Sequence, residues 1–87
     1  MIVEVWFYSD NRIPSGSYYR PHFIIKETDE YLGVQFENLQ NAPLGERIIC
    51  DVKLLYEGID YSNLTPNTAF YIKEGSKTVG EGVVISL

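Results

Sequence analysis

Near the C-terminus, residues 70–84 read FYIKEGSKTVGEGVV and contain both arms of a β-hairpin. Phe70 and Ile72 alternate with Tyr71 and Lys73, the period of a strand with one face turned inward. Glu74-Gly75-Ser76-Lys77 supplies the turn, because glycine accepts backbone angles that other residues resist. Thr78-Val79 opens a return strand in which Gly80 and Gly82 stand two residues apart. Positions i and i+2 share a face of a strand, so the pair predicts close packing against a neighbouring backbone or ring. Simple alternation would turn Glu81 the same way as Val79, Val83 and Ile85. Burying a lone carboxylate is costly. A bulge near Gly80 or Gly82 that turns Glu81 outward is therefore expected, ahead of a place at the rim of the fold.

The remaining sequence also reads as strands. Residues 2–8 form the first, and residues 10–17 a loop punctuated by Pro14 and Gly16. Residues 20–28 form the second, with Phe23, Ile24 and Ile25 at its apolar centre. Asp29-Glu30 begins a turn into the third, residues 32–37, which sets Leu32, Val34 and Phe36 on one face. A loop over 38–45 leads to the strand expected to be longest, residues 46–57. There Ile48, Cys50, Val52 and Leu54 share one face, and Arg47, Asp51 and Lys53 the other. Residues 58–68 are a loop; within it, 59–64 is too short and polar for a helix of consequence. Seven Tyr, four Phe and one Trp favour strands, since broad rings pack well on a pleated surface. Six strands without a linker in 87 residues make one domain, 1–87, an antiparallel barrel or sandwich.

Charge narrows the function. The net charge is −5, and the seven Lys and Arg residues are scattered at Arg12, Arg20, Lys26, Arg47, Lys53, Lys73 and Lys77. A nucleic-acid binder concentrates such residues to displace counterions from phosphates, so DNA and non-specific RNA binding are not expected. The single Cys50 cannot form an internal disulfide, which fits a reducing cytosol. Glu4 interrupts the first apolar run and no basic segment precedes it, so a signal peptide is not expected. No run reaches the length of a membrane helix. The expectation is a cytoplasmic protein that does not enter a membrane. Asn63-Leu64-Thr65 matches a glycosylation sequon and reads as chance in that setting.

Chemistry-bearing sets are missing. His22 is the only histidine, and with Cys50 it falls short of a zinc ligand set. Acting as a base, it would need a positioned nucleophile, which no motif supplies. It reads instead as a strand-edge residue with a polar tip. Cys50 lies on an apolar face as a small hydrophobe, and neighbouring Asp51 would raise its pKa rather than activate it. Asp29, Glu30, Glu46, Asp51, Glu57, Asp60 and Glu74 fall at turns or on solvent faces. The glycine pattern G-x-G-x-x-G fails at Ile85, and no G-x-x-x-x-G-K-[ST] loop occurs. No catalytic residue, metal, nucleotide or other cofactor is expected.

Residues 70–84 are similar, almost residue for residue, to F-A-I-R-E-G-G-R-T-V-G-x-G-V-V, the last hairpin of the C-terminal β-barrel domain of elongation factor Tu and related translational GTPases. Tyr19-Arg20-Pro21-His22-Phe23 resembles that family's Y-R-P-Q-F segment, and Thr28-Asp29 its T-x-D step. Pro43-Leu44-Gly45-Glu46 is similar to its M-P-G-D turn. Val52-Lys53-Leu54-Leu55 with Gly58-Ile59 is similar to its V-x-L-i-x-P-I run. Residues 2–8 would be its opening strand, so the likeness spans nearly the whole chain. It implies a six-stranded antiparallel closed barrel, here as a stand-alone protein, without the GTPase domain and without GTP hydrolysis.

In that family the barrel works by contact, with the T-stem of aminoacyl-tRNA, the GTPase domain and an exchange factor. Of the tRNA-facing positions, the glutamine becomes His22 and a threonine becomes Tyr31. The first turn glycine is kept as Gly75, and the second becomes Ser76. With the acidic balance, these changes disfavour transfer of tRNA binding. The expectation is a non-catalytic protein-interaction module that binds a protein partner or a second copy of itself. Tyrosines in loops and at strand ends often anchor interfaces. The expected partner-binding residues are Tyr18, Tyr19, Arg20, His22, Tyr31, Lys73, Gly75 and Lys77. The alternative is a translation-associated tRNA or ribosome binder acting through Arg20, Lys73, Gly75 and Lys77.

Overall fold

The computed structural model describes residues 1–9, 19–37, 39, 42–55 and 65–86. Six strands carry the fold: β1 (Ile2–Phe7), β2 (His22–Ile25), β3 (Tyr31–Glu37), β4 (Ile48–Leu54), β5 (Ala69–Glu74) and β6 (Lys77–Ser86). They close in the order β1-β4-β3-β2-β5-β6, and every neighbouring pair is antiparallel. The protein is therefore all-β, a closed six-stranded antiparallel barrel, and the sandwich alternative falls. Among the described residues, no helix is long and apolar enough to cross a membrane. Closure removes the unpaired strand edges of an open sheet.

Inward alternation fills the barrel. Phe7, Phe23, Phe36 and Phe70 are fully buried with Val3, Val5, Val34, Ile72 and Val84. Phe23 and Phe70 stack 3.9 Å apart at 15°, and Phe23 meets Phe36 edge-on at 5.9 Å. Among the described residues no polar or charged side chain is buried, so solvent-excluded apolar packing is what holds the interior. Four phenylalanines need room, and the paired glycines provide it. A Cβ at Gly80 would lie 2.6 Å from the Trp6 carbonyl oxygen, and one at Gly82 would run into the Glu4 carbonyl and sit 2.9 Å from Phe70 Cζ. The expected close approach to backbone and ring is present at both positions.

The terminal hairpin turns over Gly75 and Ser76. Gly75 takes a φ of 61° while Ser76 does not enter the positive region, the pattern of a type II′ turn. Lys73 faces Thr78, whereas Ile72 faces Gly80, so Val79 is the extra residue of a bulge. That bulge reverses the alternation beyond it. Gly80, Gly82 and Val84 are buried, and Glu81 is turned outward, as its charge requires.

Two lengths differ from the sequence reading. The longest strand is β6, with ten residues, while β4 has seven. Its two glycines lower the strand signal, yet both arms of its wall, β5 and β1, pair with it along most of its length. β2 has only four residues, because the chain turns at 26–28 and Asp29 adopts a φ of 59°. Tyr31 consequently begins β3 instead of ending the turn. The expected faces of β4 are present: Val52 is buried, Ile48, Cys50 and Leu54 pack on the core, and Ile49, Asp51 and Lys53 are exposed. The loop and helix readings over 10–18 and 56–64 lie outside the described residues.

Candidate interaction surface

Strand register aligns five outward side chains across five adjacent strands. Tyr31 of β3 faces Ile24 of β2, which faces Tyr71 of β5; Tyr71 faces Glu81 of β6, and Glu81 faces Trp6 of β1. Two residues along, Gly33, His22, Lys73 and Thr78 form a parallel row. On the other side lie Ala69, Val83, Glu4 and Ile49. Tyr31 is 59% exposed and Tyr71 39%, while Ile24 between them retains only 6%.

Charged groups lie over and between these rings. Lys26 Nζ stands 4.5 Å from the Tyr71 ring centre and 2.8 Å from Glu81 Oε1. The Arg47 guanidinium lies 4.4 Å over Trp6, with Nη1 3.2 Å from Glu4 Oε1. Tyr8 donates its hydroxyl to Glu81 Oε2 at 2.8 Å. Lys73 Nζ lies 5.9 Å from the Tyr31 ring centre, and the His22 ring 6.1 Å from it. The hydrogen bond from Lys26, aided by that from Tyr8, holds Glu81 below the ordinary carboxylate range against the opposing effect of burial. Burial and the Glu81 carboxylate push Tyr8 up to about 12. Glu81 is thus the acceptor that ties β1 and the end of β2 to β6.

Of the residues expected to bind a partner, His22, Tyr31 and Lys73 come together on this surface. Arg20 lies beside them, its Nε donating to Gln35 Oε1 at 2.8 Å. Gly75 and Lys77 are exposed at the hairpin turn, next to the group but not part of it. Tyr19 goes elsewhere. Its ring packs 5.4 Å from Phe36 and 6.0 Å from Phe7, closing one end of the core, and its hydroxyl donates to Glu74 Oε2 at 2.6 Å. Burial and that carboxylate raise its pKa. Tyr18 lies outside the described residues. Trp6, Lys26 and Arg47 were missing from the expected set. Trp6 sits between Val5 and Phe7, and only its parity with Glu4 and Tyr8 signals that it points out.

The residues weighed for chemistry are dispersed. Cys50 is half-buried against the core, and burial pushes its thiol up, away from reactivity. Asp51 points to the opposite face, so it is not what raises the thiol. Among the described residues, no group of three His, Cys, Asp or Glu side chains is placed to hold a metal ion. The surface has several open depressions, one of them lined by Arg20, Pro21, His22, Gly33 and Leu55 beside the second row. No protein-family model matches this chain, and no curated protein matches it significantly.

Proposed function

We propose that this chain is a non-catalytic protein-interaction module of the cytoplasm, without GTPase activity, whose contact face is the row Tyr31–Ile24–Tyr71–Glu81–Trp6. The observation that carries this reading is the alignment of three outward aromatics across the wall of a filled barrel. Rigid aromatic side chains lose little conformational freedom when covered, which is why they dominate the energetic centres of interfaces. The likeness of residues 70–84 to the C-terminal barrel of elongation factor Tu supports the same reading, because that barrel works by contact. The partner is another protein or a second copy of this chain.

The test is capture from an extract of the native host with the wild-type chain and a Tyr31→Ser/Tyr71→Ser variant, with light scattering over a concentration range. The expected result is one protein, or a dimer, retained at high salt by the wild type and lost by the variant, with melting temperature preserved. Equal capture by both would overturn the reading.

A translation-associated RNA binder is the second reading, favoured by Lys73 facing His22 across β5 and β2, with Arg20 just ahead of β2. It requires RNA that co-purifies at low salt and is released steeply as salt rises, since phosphate contacts depend on counterion release.

A further inference from the structure

The outward row has a spacing as well as a composition. Tyr31, Tyr71 and Trp6 stand on β3, β5 and β1, and one strand separates each ring from the next. Neighbouring strands lie about 4.8 Å apart, so successive rings recur every ~9.6 Å across the barrel wall. Ile24, nearly covered between Tyr31 and Tyr71, floors a first notch. Glu81, half-buried between Tyr71 and Trp6, floors a second. Lys26 meets the charge of Glu81, and Glu4 meets that of the Arg47 lying over Trp6, so the charges at the notches are balanced within the chain. An acidic turn borders one end. Residues 26–30 read KETDE, three carboxylates to one lysine, and the Ile25 amide donates to the Glu30 carbonyl just beyond the Ile24–Tyr31 pair. Glu27 and Asp29 are exposed on that turn, and among the described residues neither lies within ion-pair distance of a cation. Lys73 stands on the opposite side of the row, facing His22.

We infer that this row docks a proline-rich segment of the partner, in the polyproline II conformation, with a basic residue beside its prolines. The inference rests on the interaction-module reading and names its partner's chemistry. A polyproline II helix has three residues per turn and rises about 3.1 Å per residue, so one of its faces repeats every ~9.3 Å. The two notches, one on β2 and one on β6, are also two strands apart and repeat at nearly that distance. Prolines at i and i+3 therefore enter successive notches, the first between Tyr31 and Tyr71 and the second between Tyr71 and Trp6. One face of an α-helix repeats every ~5.4 Å and one face of an extended strand every ~6.8 Å, and neither matches the rings. Sheet extension is closed to the segment, because the strands pair all round the barrel. A polyproline II segment is ordered before it binds, so little conformational freedom is lost on these rigid rings. Proline brings no charge to notches whose own charges are already paired. An Arg or Lys beside the prolines meets Glu27 and Asp29 at the Tyr31 end, and the chain's net charge of −5 draws it in. A phosphodiester backbone is repelled by the same carboxylates.

The experiment is an NMR titration of the full chain, read at the backbone amides and the indole N–H and taken into the millimolar range. The probe is the blocked peptide Arg-Pro-Pro-Ala-Pro-Pro-Arg, which reads the same in both directions. Its controls are Arg-Gly-Gly-Ala-Gly-Gly-Arg, Glu-Pro-Pro-Ala-Pro-Pro-Glu and an oligouridylate. The probe is expected to shift Ile24, Tyr31, Tyr71, Glu81 and the Trp6 indole together, and to bind about fivefold or more tightly than any control. Tyr71→Ser, which opens both notches, weakens it by roughly tenfold. Glu27→Gln with Asp29→Asn weakens it by roughly threefold and flattens its salt dependence. Asparagine is the choice at position 29 because it tolerates the positive φ there. Melting curves establish that the variants fold. Equal binding of the glycine or the glutamate peptide, indifference to either set of substitutions, no shifts at all, or tighter binding of the oligouridylate would each overturn the inference. The underlying reading is scored separately. A captured partner that needs Tyr31 and Tyr71 but is not displaced by the probe removes the proline-rich segment and leaves the module intact.

Discussion

Strands β1, β5 and β6 form one wall whose two sides obey different rules. On the inside, Gly80 and Gly82 bring β6 against the backbone of β1 and the ring of Phe70, with no space for a further methyl group. On the outside, at the same register, Lys26 pairs with Glu81 and lies over the Tyr71 ring, Tyr8 donates to Glu81, and Arg47 lies over Trp6 while pairing with Glu4. Volume decides the inside, and charge placement decides the outside. A protein interior is packed like a crystal, so one added or missing group is felt throughout it. Half-exposed ion pairs compete with water and contribute little each. The wall is therefore rigid because of one face and available for recognition because of the other.

The comparison predicts a steep order of effects. Phe70→Ala leaves a void facing Phe23 and should cost about 4 kcal/mol, measured by urea unfolding of wild type and variant. Gly82→Ala drives a methyl group into the Glu4 carbonyl, which backbone pairing holds in place. It should cost about 3 kcal/mol, and a stability within experimental error of wild type would break the claim that volume decides the inside. Gly80→Ala should follow closely, since the Trp6 carbonyl is the obstacle there.

The outer face should respond more weakly and with pH. Glu81→Ala removes the acceptor of Lys26 and Tyr8 at once and should cost about 1 kcal/mol. Because the folded Glu81 titrates below its ordinary value, its contribution is full above pH 4.5 and is lost as pH falls through the lowered folded value. The stability difference between wild type and Glu81→Gln should therefore shrink in acid. Tyr8 runs the other way: its raised folded pKa gives a contribution complete below pH 10 and lost as pH rises toward about 12, which Tyr8→Phe should abolish. Smallest of all, Tyr31→Ser should change stability by no more than about 0.5 kcal/mol while weakening partner binding. A large loss of stability at Tyr31 would show that its ring supports the fold and is not held in reserve.

How legible this was depends on whether a signal was local. The hairpin turn at Gly75, the outward Glu81, the two close-packed glycines and the faces of β4 all follow from neighbours in sequence. A carboxylate must reach water or a donor, and alternation assigns the rest. The length of β6 was not legible, because glycines that lower strand propensity were offset by pairing to strands far away in the chain. The packing of Tyr19 was not legible for the same reason. Its sequence neighbours suggest an exposed loop ring, but Phe7 and Phe36 arrive from other strands to cover it.

The candidate surface is the clearest case of that division. The sequence alone determined an all-β chain, which residues alternate, where the last turn falls and which charges must stay outside. Those outcomes depend on backbone period and on the cost of burying charge, and both act over a few residues. Only the tertiary structure decided that Tyr31, Ile24, Tyr71, Glu81 and Trp6 would share one row, that Lys26 would pair with Glu81, and that Lys73 would stand beside the Tyr31 ring. Register across five strands is fixed by how four phenylalanines and two glycines fill a closed interior, and that is a property of the whole barrel at once.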